Sequence, residues 1–129
     1  MSFSYTLTSN IIQNNKMKQS EIRFSIELDD KNLPEKIFWK ATDSGQQLEE
    51  AKAIALAIWD GHEKNCLRLD LWTKDMPVEE MKGFSINILG GMADTLLRAT
   101  NDDYMAQEIH QLCEKLAVYL KESQQNTEK

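Results

Sequence analysis

The 129-residue chain has the length of one domain and is long enough to bury a core without disulfide or metal support. Fifteen Lys and Arg stand against 21 Asp and Glu, a formal net charge of -6, which excludes non-specific binding to nucleic acid or anionic lipid, since both require phosphates neutralised by cations. No apolar run reaches the length of a signal peptide or a bilayer span, so the expectation is a cytoplasmic protein without membrane insertion.

Residues Met1 to Asn15 carry no charged side chain and show no sustained period, and residues 1–16 are expected to form a disordered extension. Met17, directly before the first strongly patterned segment, is the alternative start. "EIRFSIEL", Glu21 to Leu28, sets Ile22, Phe24, Ile26 and Leu28 on one face and Glu21, Arg23, Ser25 and Glu27 on the other, as in a half-buried strand. "DDKNLPEK" supplies turn residues, and "IFWKATD" resumes with Ile37, Trp39 and Ala41 facing one way, which predicts a hairpin.

"AIALAIW" then alternates Ile54, Leu56 and Ile58 with Ala53, Ala55 and Ala57, and "CLRLDLW" alternates Leu67, Leu69 and Leu71 with Arg68 and Asp70. With the polar turn "DGHEKN" between them, the two runs read as a second hairpin; a helix from Leu48 to Trp59 is the competing reading. After Trp72 the spacing becomes helical. Thr73 or Asp75 is available as a cap, Pro77 suits the first turn, and Glu79 and Glu80 suit the positive end of the helix dipole. Met81, Phe84, Ser85, Ile88, Leu89, Met92 and Leu96 form one largely apolar stripe, to about Ala99. Asn101 or Asp102 caps a second helix with a stripe of Met105, Ile109, Leu112, Leu116 and Leu120. Gly90 and Gly91 inside the first helix are expected to reflect a close approach of its backbone to the sheet or the other helix, with a kink next and a ligand contact last among the alternatives.

The resulting expectation is an α+β domain over residues 17–122, a four-stranded antiparallel meander followed by two C-terminal helices packed on one face, with 123–129 a flexible tail. The second sheet face would carry Phe38, Ala53, Ala55, Ala57, Trp59 and Trp72, too apolar for free exposure, so a homodimer contact or another protein is expected there. Arg68, Asp70 and Trp72 share that face and form the candidate interaction surface, with Asp70 expected in a cross-strand ion pair. Cys66 and Cys113 lack zinc or redox spacing and read as buried thiols. His62, Glu63 and Cys66, in and beside a turn, do not make a defined ligand set, and no Ser or Cys nucleophile stands in a catalytic frame, so no catalytic, cofactor-binding or metal residue is assigned.

The segments "MKQSEIRFSIELDDKNLPEKIFWKATD", "EEAKAIALAIWD", "LRLDLWTKDMPVEEMKGF" and "MADTLLRAT", in order from Met17 to about Ala117, resemble the gliding-motility-associated GldC proteins of the Bacteroidetes. Residues 1–16 have no counterpart in that resemblance, and Gly90 with Gly91 departs from it. It implies a small cytoplasmic accessory protein of gliding motility that is not an enzyme, works without cofactors, and acts on an unidentified protein partner such as a component of the gliding machinery. The competing class is a small-molecule-binding module with its pocket between sheet and helices.

Overall fold

Alternation of apolar and polar residues carries the chain into strands as far as Trp72, and the change to helical spacing beyond it produces two helices. The computed structural model describes residues 2–13, 16–45 and 47–127. Its elements are β1 (Ser2–Gln13), β2 (Lys16–Leu28), β3 (Pro34–Ala41), β4 (Glu49–Ala51), β5 (Ala53–Asp60), β6 (Asn65–Trp72), α1 (Val78–Thr100) and α2 (Asp103–Thr127). The strands and helices fall into two compact units, Met1–Met76 and Pro77–Lys129.

In the first unit, β1, β2, β3 and β4 form one antiparallel sheet in that order. The register places Ile26 opposite Ile37, at 1% and 0% exposure, so one cross-strand pair forms the centre of this core. β1 departs from the expected disordered extension: it is a strand along its length, with Ser4 opposite Ser25 and Leu7 opposite Ile22. The local reason is composition, because Phe3, Tyr5, Thr6, Thr8, Ile11 and Ile12 are residue types that favour a pleated strand. After β2, the Asp29 carboxylate accepts the N–H groups of Lys31 and Leu33 at 2.8 and 2.9 Å, and Asn32 takes a left-handed φ of 63°. That turn delivers Leu33 and Pro34 to the start of β3.

The single four-stranded meander expected from the sequence is not what forms. The second hairpin is present, and the competing helix over 48–59 is not, but β5 and β6 make a separate two-stranded sheet. The cause is a bend at Lys52, which interrupts the extended run from Glu49 to Asp60. Before the bend the run pairs with β3 (Ile37 opposite Ala51), and after it with β6 (Ala53 opposite Trp72). A strand that turns at a bend serves two sheets, and the pleat period alone does not reveal it.

In the second unit, α1 starts without a side-chain cap. Pro77 is the N-cap, and neither Thr73 nor Asp75 fills that role. Glu79 and Glu80 occupy the first turn as expected, and Asn101 closes the helix in a left-handed conformation, its N–H donating to the Leu97 carbonyl at 2.8 Å. Asp102 caps α2 by accepting the Met105 N–H at 3.0 Å. α2 runs to Thr127, past the expected tail boundary at 123, and Gln124 donates to Glu79 at 3.3 Å. The apolar stripes line one groove with Ile88, Met92, Leu96, Met105 and Ile109, and a second with Ile86, Leu89, Leu116 and Leu120. Within this unit the other helix makes no close approach at Gly90 or Gly91: a Cβ built on either meets no atom of it within 4 Å.

Candidate interaction site

The β5–β6 hairpin is set by its turn. Asp60 Oδ1 accepts the N–H groups of His62 and Glu63 at 2.9 and 3.2 Å, Lys64 donates to the Asp60 carbonyl at 2.8 Å, and Lys64 adopts a left-handed φ of 55°. This turn fixes the register Ala53–Trp72, Ala55–Asp70, Ala57–Arg68 and Trp59–Cys66. Since side chains alternate across a strand, these eight residues share one face, and Ile54, Leu56, Ile58, Leu67, Leu69 and Leu71 share the other. The face predicted to be an apolar surface therefore exists within this strand pair, except that Phe38 belongs to the other sheet. Trp59 is 67% exposed and Trp72 50%.

Arg68, Asp70 and Trp72 come together there as expected, but the Asp70 ion pair is not a cross-strand one. Asp70 faces Ala55 and Arg68 faces Ala57, so neither has a charge directly opposite it on β5, and the two side chains pair along their own strand. Arg68 Nη2 donates to Asp70 Oδ1 at 2.8 Å and Nε to Oδ2 at 3.2 Å, a two-pronged contact. The guanidinium hydrogen bond holds the Asp70 carboxyl below its usual range and raises Arg68 in turn. Both side chains are about half exposed, so the pair orients charge more than it stabilises the fold. Cys66, expected as a buried thiol, is exposed at the far end of the strand, while Cys113 is half-buried on α2.

Where β6 ends, it is fastened on both sides. The Thr73 N–H donates to the Lys52 carbonyl at 2.8 Å and the Lys74 N–H to the Pro34 carbonyl at 3.1 Å. Lys52 pairs with Asp75 at 3.1 Å, and Lys74 bridges Asp29 and Glu35, each at 3.1 Å. The buried Thr73 hydroxyl lies against the Asp75 carboxylate without reaching good hydrogen-bond geometry with any described group. It and then Lys52 keep that carboxyl below its usual value. Asp29 is lowered first by the Leu33 N–H and next by Lys74, whose own ammonium is raised by Glu35 and Asp29.

This fastening leaves a cleft of about 280 Å³ lined by Leu33, Pro34, Asp70, Leu71, Trp72 and Lys74. Its walls are apolar, and its charged members, Asp70 and Lys74, are already paired. Such a notch recognises an apolar side chain or an extended peptide by shape and burial, with ion pairs at its rim. Sequence reasoning found Asp70 and Trp72 and missed Leu33, Pro34 and Lys74. Pro34 carried only a turn signal, and nothing local says that a turn residue will meet a strand end forty residues later.

Comparison with curated proteins and with solved structures returns no match. Among family models, that of the gliding motility-associated protein GldC-like family matches residues 34–122, more than half of the chain, beginning at Pro34 and including both strands of the hairpin and α1. The chain belongs to the GldC-like, gliding motility-associated family.

Proposed function

We propose that this protein is a non-enzymatic, cytoplasmic accessory factor of gliding motility that works by holding another protein on the β5–β6 hairpin. The family match supports the link to motility. The observation that carries the docking surface is the pair of exposed indoles, Trp59 and Trp72, on one face with a stripe of alanines, beside an apolar cleft. Exposed aromatic residues flanking small ones are the anchors that interfaces use, and a half-exposed Trp in an apolar patch has no role in this core.

The test is affinity capture with the intact chain and with a Trp72→Ala, Asp70→Ala double variant. Both residues are exposed, so the variant retains its circular dichroism spectrum and unfolds cooperatively. The expected result is loss of a stoichiometric protein partner from the variant, together with failure of the variant to restore spreading in a deletion strain. Undiminished capture by the folded variant removes this surface from consideration.

A further inference from the structure

The outer edge of β6 has a property that its side-chain face does not. The Thr73 N–H reaches back to Lys52, so the odd-numbered residues of β6 turn their backbone groups toward β5. By the alternation of an antiparallel ladder, Cys66, Arg68, Asp70 and Trp72 turn theirs outward. Lys74, next in that series, follows the rule: its N–H points outward and meets the Pro34 carbonyl. Among the described residues no strand pairs with the outward groups of Cys66 to Trp72. An unpaired edge of this length, carrying leucines, is a template for another strand.

The sequence of that edge is complementary to itself. An antiparallel pairing must match outward residues with outward residues. The register that sets Leu69 opposite Leu69 also sets Arg68 opposite Asp70 twice, Leu67 opposite Leu71 twice, and Cys66 opposite Trp72. Shifting by one allowed step places Arg68 against Arg68, and shifting the other way places Asp70 against Asp70; like charges directly opposite destabilise a pair. Of these three registers only the one centred on Leu69 satisfies both backbone and charge. It also brings Cys66 and Leu67 of the second copy to the cleft lined by Leu33, Pro34, Leu71 and Trp72.

We infer that two copies of this chain pair antiparallel along β6, about a two-fold axis through Leu69, joining the two β5–β6 hairpins into one four-stranded sheet. A pair of strands alone is marginal in water, and a four-stranded sheet is not. The joined sheet presents Arg68, Asp70 and Trp72 twice on one face. This rests on the reading of the hairpin as a protein-docking site, and it names the first protein docked there as a second copy.

The test is the oligomeric state of the full chain by light scattering and sedimentation. The wild type is expected to be dimeric. Arg68→Asp places two acidic residues against two, and Asp70→Arg two basic against two, so each variant alone self-associates about tenfold or more weakly. Mixed one to one, the two variants restore both opposite-charge contacts and form a heterodimer, which also proves each folded. In a background with Cys66→Ser and Cys113→Ser, Leu69→Cys should form an intermolecular disulfide under mild oxidation and Leu67→Cys should not. Residue 69 faces itself at a non-hydrogen-bonded position, where Cα atoms lie about 4.5 Å apart, within disulfide range. A wild type that stays monomeric at its solubility limit, a dimer indifferent to both charge reversals, or variants that do not reassociate on mixing would each overturn the self-pairing. If capture of another protein through Trp72 persists in those cases, only the identity of the occupant is wrong. If capture fails too, the docking reading falls with it.

Discussion

The two sheets of the strand unit are built from the same alternating code and differ in what it achieves. In the sheet of β1 to β4, the inward residues Ile26 and Ile37 face each other and are fully buried. In the β5–β6 pair, Ile54, Leu56, Leu69 and Leu71 share a face in the same way yet remain half-buried, with Ile58 and Leu67 exposed. Alternation specifies a face, whereas burial depends on how many strands flank it and what covers it. The first sheet therefore holds the most buried strand pair, and the second leaves apolar surface exposed beside a β6 edge that no described strand pairs with.

The comparison breaks if the two sheets respond alike to loss of the same volume. Ile37→Ala is expected to cost about 2–5 kcal/mol in denaturant unfolding, because it removes three carbons from a site with no room to relax. Leu69→Ala, which removes as many carbons from a half-buried site, should cost about 1 kcal/mol. Equal losses would show that β5–β6 is as firmly packed as the first sheet.

A smaller effect sits where the sheets are fastened. The carboxyls of Asp29 and Asp75 are held below 3.8, the first chiefly by the Leu33 N–H and the second chiefly by Thr73, with Lys74 and Lys52 assisting. A depressed folded value means stability that is present above pH 3.8 and lost as pH falls through the folded values. The ammonium groups of Lys52 and Lys74 are raised above 10.5, chiefly by Asp75 and by Glu35, so their share persists below that pH and fades above the raised values. The melting temperature should accordingly decline on acidification below pH 3.8. The double variant Asp29→Asn, Asp75→Asn should decline less, since the neutral amides do not titrate there. The smallest effect belongs to Arg68→Ala: its ion pair with Asp70 is half exposed, so the melting temperature of the monomer should scarcely move.

Much of this was legible from residue order. The hairpin from Ala53 to Trp72, the shared face of Arg68, Asp70 and Trp72, the start of the first helix near Pro77 and the Asp102 cap all follow from period and local chemistry, which act over a few residues. Three of the departures share a different cause. Asp70 pairs with Arg68 because its opposite neighbour is Ala55, a matter of register. Lys52 marks a bend although Lys at that position carries no turn signal, and the cleft depends on Pro34 meeting Lys74.

The sequence by itself determined the strands from Glu21 to Trp72, the starts of both helices and the shared face of the β5–β6 hairpin, because the pleat and the helical turn are set by backbone geometry within each segment. Only the tertiary structure decided that the strands divide into two sheets at Lys52, that Leu33 and Pro34 wall a cleft beside Trp72, and that no strand among the described residues pairs with the outer edge of β6. Those outcomes depend on which backbone donors and acceptors find each other across long stretches of chain, and every strand offers the same donors and acceptors whatever its side chains.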